Sequence, residues 1–225
     1  MVKFFHKISR SALVTSRQAF LSDFCRGKSV LHIGCVDSGL TKVRFENGEL
    51  LHAQLLKVSA RVVGVDIDEG GIELMRSFGI RDLHVADIEN GLNLDEKFDV
   101  VVAGEVIEHL SNSGKLIENS AQIMKDDGVF IITAPNAFCL TTIIRLFRGI
   151  ETVHEDHVSY FSYATMRTFL SRYGLYIVNF AFYSDITRKN GLKRIMKGIY
   201  HVVLSVFPQF GEGIVVVSSR VVRTA

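Results

Sequence analysis

Cysteine is scarce: Cys25, Cys35 and Cys139 are the only three in 225 residues. So few, so widely spaced and odd in number, they exclude a disulfide framework and a clustered zinc site, and read as free thiols of a reducing compartment. No internal repeat or low-complexity tract is present. No apolar run reaches the ~18 residues that a membrane span needs. The opening MVKFFHKISRSALVTSRQAF has cations scattered through it and no uninterrupted apolar stretch, which makes it a poor secretion signal. The expected location is therefore cytoplasmic. Neither charge sign dominates, and a formal net charge of +2 neither demands nor excludes an anionic partner. What remains is an ordinary globular composition, 48% apolar and 22% charged, which rules out a disordered chain. At this length one large α/β-type domain is expected, with a core that needs no disulfide or metal staple.

Short apolar, β-branched runs alternate with segments of helical period. The strands are Ser29–Ile33, Arg61–Ile67, Asp82–Ala86, the run from Phe98, Val129–Ala134 (stopped by Pro135), Leu175–Tyr183 and Gly213–Val222. Helical patterns fill Lys3–Phe24, Leu50–Val58, Glu69–Phe78 (closed by Gly79), Gly114–Met124 and Tyr163–Tyr173. This alternation predicts a Rossmann-like, doubly wound α/β fold: a seven-stranded, mostly parallel sheet with helices on both faces. Residues 1–28 read as an N-terminal helical extension and 29–225 as the domain itself. Within it, a lid is expected at about 136–162 and a helical insertion at about 186–208.

The stretch Phe98–Leu110, FDVVVAGEVIEHL, organises the rest. Its first half is a buried strand, and its second half changes period. A helix there would put Glu105, Glu108 and His109, at i, i+3 and i+4, on one face. Ligands of open parallel sheets bind outside the carboxyl ends of the strands, so two carboxylates and an imidazole stand where such a fold does its chemistry.

A strand, a glycine loop (GCVDSG, from Gly34), a helix and a second strand ending in Asp66 make a nucleotide-binding arrangement. Asp66 can accept hydrogen bonds from both ribose hydroxyls. A dinucleotide fingerprint needs glycine at position 36, where Val36 stands, which opposes a nicotinamide or flavin cofactor. No Walker-type loop is present, so ATP is disfavoured. S-adenosylmethionine has adenine and ribose but no phosphate, and asks less room of that loop. The plainer readings are turn glycines at Gly34 and Gly39, and helix or turn caps at Asp66 and Asp87.

With these motifs in order, VLHIGCVDSG, VVGVDID, VADIEN, FDVVVAGEVIEHL and DGVFIITAPN, the chain resembles the class I S-adenosylmethionine-dependent methyltransferases over about Ser29 to Gly174. The resemblance implies that His32, Gly34 and Cys35 pass beside the methionine part, that Asp66 and Ile67 meet the ribose, and that Asp87 and Ile88 meet the adenine. Two positions depart from the family pattern: His32 replaces an acidic residue, and Val36 a glycine. His32 lacks the carboxylate that would face the cofactor's ammonium group.

Glu105, Glu108, His109 and a histidine of HEDHVSYFS, His157 before His154, form a candidate ligand set for a hard divalent ion, Mg or Mn. EVIEH followed by HEDH is similar to the arrangement in small-RNA 3′-end 2′-O-methyltransferases, which implies Glu105, Glu108, His109 and His157 as metal ligands. A similar motif occurs in ubiquinone-pathway O-methyltransferases and in bacterial enzymes acting on small molecules or sugars. Without a metal, His109 or His157 is the candidate general base. The plainest alternative has Glu105 touching the cofactor, Glu108 solvated and His109 merely hydrogen-bonded.

Arg188–Phe207 carries five basic residues and then an apolar run. A basic amphipathic helix attracts anionic lipid or nucleic acid, whereas Leu192, Ile195, Met196, Ile199, Val203 and Val206 keep the spacing of a helix packed on the sheet, the reading favoured here. The aromatics Tyr160 to Tyr163 suit both the lining of a substrate pocket and the underside of the lid. The reading that results is an S-adenosylmethionine-dependent methyltransferase acting on an oxygen of a small molecule or saccharide. Its rivals are a divalent-metal-dependent RNA ribose 2′-O-methyltransferase and a non-catalytic, cofactor-binding partner subunit.

Overall fold

The computed structural model describes residues 13–184 and 191–220. In chain order the elements are β1 (Leu13–Val14), α1 (Arg17–Cys25), β2 (Ser29–Ile33), α2 (Thr41–Glu46), α3 (Leu51–Val58), β3 (Arg61–Asp66), α4 (Glu69–Ser77), β4 (Leu83–Val85), β5 (Phe98–Gly104), α5 (Ser113–Ile123), β6 (Met124–Pro135), α6 (Leu140–Leu146), α7 (Tyr163–Ser171), β7 (Tyr176–Tyr183), α8 (Gly191–Val206) and β8 (Gly213–Ser219). They build one sheet in the order β1-β7-β8-β6-β5-β2-β3-β4. Every neighbouring pair is parallel except those of β8, which runs antiparallel to β6 and β7.

The sheet has eight strands where seven were expected. The extra one, Leu13–Val14, pairs with Phe182 and Tyr183 at the end of β7. It is too short to show a period of its own. Ser16 then caps α1, its hydroxyl accepting from the Ala19 amide at 3.2 Å. Leu21 and Cys25 of this helix are fully buried against Val30, Leu51 and Leu55. The segment expected as an N-terminal helical extension packs Leu21 and Cys25 into this core, while residues 1–12 lie outside the described residues.

Strand alternation sorts the core into layers. On β2, Val30 faces α1 and α3, while Leu31 and Ile33 join the opposite layer with Leu116, Ile117, Met166 and Leu170 of α5 and α7. On β5, Val100 and Val102 take the first side, Val101 and Ala103 the second. Full burial of each large side chain contributes roughly 1.5–3 kcal/mol, which is why runs such as VVV and VLHI are strands here.

One further expectation changes. The chain after β5 is not a helix: Glu105 turns with φ +58, and residues 107–109 form a turn closed by the His109 amide donating to the Val106 carbonyl. Glu105 N–H also donates to the Thr133 carbonyl, so the ladder with β6 continues one residue past β5 and leaves no room for a helical start. In the expected lid, an isolated bridge between Asn136 and Phe161 closes the base, and α6 rises from it. Helix α8 falls within the stretch expected as a helical insertion; residues 185–190 lie outside the described residues, as do 221–225.

Candidate active site

A cleft of about 830 Å³ opens at the carboxyl ends of β2, β3, β4 and β5. Gly34 borders it directly after β2, in the left-handed region at φ +70. A side chain there would put Cβ 2.3 Å from Val106 Cγ2, so glycine serves both the turn and a close approach of two loops.

Asp66, at the end of β3, also lines the cleft. Its Oδ2 accepts from the Val36 amide at 2.8 Å and its Oδ1 from the Asp68 amide at 3.0 Å. The carboxylate therefore ties the glycine loop to the start of α4 while facing the cleft. Burial raises its pKa above the ordinary value, against the lowering effect of those amides. Ile67, Asp87 and Ile88 border the same space. Asp87 caps the following turn, accepting from the Glu89 amide at 2.9 Å and from Asn90 Nδ2 at 2.8 Å. Its capping role and its place on the cleft wall are compatible.

His32 and Cys35 stand elsewhere. Neither lines the cleft. The same alternation that points Val30 at α3 points His32 there too, and its Nδ1 lies 3.2 Å from Nδ1 of His52 in stacked rings. Burial, the nearby His52 and Arg17 hold His32 well below the usual imidazole range. Cys35 is buried with its sulfur against Gly64, and burial pushes its thiol up.

The floor at the far end of the cleft is a polar knot that sequence patterns did not show. Glu105 Oε1 accepts from the Tyr183 hydroxyl at 2.8 Å and lies 3.7 Å from Arg17 Nη1. That guanidinium donates to Thr133 Oγ1 at 3.1 Å and sits over the Tyr183 ring. Arg17 and Tyr183 are contributed by α1 and β7, and only the sheet order brings them beside β5 and β6.

Glu108 and His109 part from Glu105. The turn carries Glu108 inward, 1% exposed, and among the described residues neither of its carboxylate oxygens has a hydrogen-bond partner. Burial, then the charge of Glu105, push its pKa up to about 8. The lid closes over it: the Val158 amide donates to the Glu108 carbonyl at 2.9 Å. This brings His157 to His109, with ring centroids 4.6 Å apart, and His154 within 5.2 Å of His157. One ligand atom each from Glu108, His109 and His157 all fall within 4.8 Å of one another. His157 is held below the usual imidazole range by burial, then by its histidine neighbours. Of the four expected ligands the structure gathers three, with Glu105 engaged by Tyr183 and Arg17 instead. His109, His154 and Asp156 form the cleft's rim on this side.

Comparison with known proteins bears on this arrangement. A family model described as a methyltransferase domain matches residues 5–179. The ubiquinone biosynthesis O-methyltransferase of Azorhizobium caulinodans is 30% identical over 116 residues, which are 49% of this chain and 42% of that protein. The protein of that name from Bartonella tribocorum is 23% identical over 161 residues, 67% and 61% of the two chains. The match thus spans less than two thirds of either relative. Among solved structures, a SAM-dependent methyltransferase from Archaeoglobus fulgidus shares the fold with TM-score 0.56 and 18% identity, over 89% of this chain and 91% of that one. Magnesium protoporphyrin IX methyltransferase from Synechocystis, with SAH bound, does so with TM-score 0.58 and 16% identity, over 91% and 80%. With the domain matched over most of its length and the fold shared, the chain belongs to the methyltransferase-domain family of the S-adenosylmethionine-dependent class.

Proposed function

We propose that the chain transfers a methyl group from S-adenosylmethionine to a hydroxyl oxygen of a small-molecule or saccharide acceptor, with the cluster of Glu108, His109 and His157 receiving the proton. The observation that carries this reading is Glu108, a buried carboxylate without a partner among the described residues, set beside the imidazoles of His109 and His157, of which His109 lines the cleft. The cofactor supplies an electrophilic methyl on a sulfonium. The chain's residues fit it: Asp66 faces the cleft where ribose hydroxyls are read in folds of this kind, and Gly34 leaves the loop flat beside it. Adenine then lies toward Asp87 and Ile88. The sheet order β4-β3-β2-β5 directs the reacting end across Gly34 toward Glu105 and the histidines. Much of the work is positioning. His157, held below the usual imidazole range by burial and its histidine neighbours, is uncharged and available as the base.

A second reading is favoured by the same orphaned oxygens. One carboxylate and two imidazoles, with His154 nearby, suit a divalent ion, which would lower the pKa of an acceptor hydroxyl. This donor set is richer in nitrogen than the expected one and fits Mn better than Mg.

The test is calorimetric titration with S-adenosylhomocysteine, with and without Mn, followed by transfer of labelled methyl to a panel of phenols, alcohols and saccharides. Asp66→Ala should weaken binding roughly ten- to a hundredfold, as expected for loss of charge-assisted hydrogen bonds. Glu108→Gln and His157→Ala should keep binding and lose transfer. Absence of binding in the parent protein would remove the reading. Transfer unaffected by metal removal would eliminate the second.

A further inference from the structure

Helix α6 has no buried residue. From Ala137 to Ile150 the chain has no acidic residue, and carries Arg145 and Arg148 among large apolar side chains. Phe138, Ile144, Leu146, Phe147 and Ile150 are all at least half exposed, Phe147 at 88%. A helix of a folded domain turns an apolar stripe into the core. This one presents apolar and cationic residues to solvent together.

Helix α8 extends the pattern. It too has no acidic residue in its sequence. Val202 and Val206, with Phe207 just beyond it, are exposed. The two segments are neighbours. Tyr200 lies beside Cys139, the N-cap residue of α6, and Asn136 Nδ2 donates to the carbonyls of Gln209 and Gly211 just past α8. Single apolar residues on a surface need no explanation. A joined face of aromatic and aliphatic side chains with cations of one sign does.

We propose that this face docks on an anionic lipid surface. Protein–protein interface cores are depleted in charged residues. A membrane-surface element instead combines long apolar side chains, which enter the acyl boundary, with Lys and Arg whose stems reach back to the phosphates. Arg145 and Arg148, both exposed, with no acidic residue in either segment, supply the electrostatic half of that attraction. The position also has a consequence for the cleft. The chain leaving α6 brings His154 and Asp156 to its rim, so docking sets the mouth close to the headgroups. On the methyl-transfer reading above, on which this one clause rests, the acceptor is an amphiphile that carries its hydroxyl at the membrane surface.

The experiment is flotation of the full chain with vesicles of phosphatidylcholine alone and of phosphatidylcholine with phosphatidylglycerol, with S-adenosylhomocysteine titration on the same preparations. The expected result is capture by the anionic vesicles that added salt weakens. Arg145→Gln with Arg148→Gln should lower partitioning about thirtyfold at low ionic strength, and Phe147→Asp about tenfold. Neither variant should change ligand affinity. No capture by anionic vesicles, or equal capture of the parent and both variants, overturns the proposal. So does a concentration-dependent dimer that Phe147→Asp abolishes in the absence of vesicle capture, which assigns the face to a second copy of the chain. A parent protein that floats but does not bind S-adenosylhomocysteine would keep the docking surface and remove the methyl-transfer reading.

Discussion

The Tyr183 hydroxyl donates to Glu105 Oε1 at 2.8 Å, joining the ends of β7 and β5 across the floor of the cleft. Glu105 is one of two described non-glycine residues with positive φ. Such a conformation costs about 1–2 kcal/mol, and here Tyr183, Arg17 and the Thr133 carbonyl hold it in place. Strain maintained by partners from three other elements, at the edge of a cleft, points to a conformation kept for what the side chain does there.

Two variants separate strain from use. Glu105→Gly accepts φ +58 without penalty and removes the anion, so the urea midpoint should hold or rise while methyl transfer falls. Tyr183→Phe leaves the strain and removes a donor to a partly exposed carboxylate, costing about 1 kcal/mol. A glycine variant that unfolds as readily as a core truncation would show that the contacts of Glu105 outweigh its torsional cost.

Gly34→Ala tests the meeting of the two loops. The left-handed φ costs about 1–2 kcal/mol for alanine, and Cβ would approach Val106 Cγ2 to 2.3 Å, a clash of the kind that costs roughly 1–3 kcal/mol more. Combining it with Val106→Ala removes that atom. The double-mutant cycle should therefore show a favourable coupling in the unfolding free energy. Simple additivity would mean that Val106 moves aside without cost.

The parts of the molecule that could be read in sequence are those whose cause is local. Val30, Val100–Val102 and Phe130–Ile132 are strands because continuous β-branched and aromatic runs bury both faces. Asp66 and Gly34 were legible because their spacing around α2 and α3 is set by the βαβ connection. The turn after β5 was not. Glu105, Glu108 and His109 have helical spacing, but the Thr133 carbonyl claims the Glu105 amide and redirects the chain. Nothing local marks Arg17 and Tyr183 either, since sheet order alone makes them neighbours. Position in a motif points His32 to the cofactor, whereas strand alternation sends its ring toward α3.

Glu108 should leave a signature in stability against pH. Its folded pKa is pushed up to about 8, first by burial and then by Glu105, from an unfolded value near 4.5. Between those values the folded state binds more protons than the unfolded one, so stability falls as pH rises from about 4.5 to about 8. Glu108→Gln should flatten this limb and be the more stable protein at its upper end. Urea unfolding across the range measures it. An unchanged slope would mean that Glu108 is ionised at ordinary acidity.

His32 and His52 act on the opposite limb. Both are buried, and both lie below the usual imidazole range, His52 at about 4, chiefly through burial. For these bases the unfolded state binds more protons at pH below about 6.5, so their contribution is complete above that value and is lost as pH falls toward about 4. Among the described residues neither Nε2 has a partner, and the two Nδ1 atoms satisfy only each other. Replacing one imidazole alone leaves the other's Nδ1 buried without a partner, costing about 1–3 kcal/mol, whereas replacing both by apolar residues of similar volume comes close to neutral. His52→Leu should therefore destabilise above about pH 6.5, and His32→Leu with His52→Leu should recover much of that loss while flattening the acid limb. If the double variant keeps the slope between about pH 6.5 and about pH 4, the protons that unfold the protein in acid are taken up elsewhere.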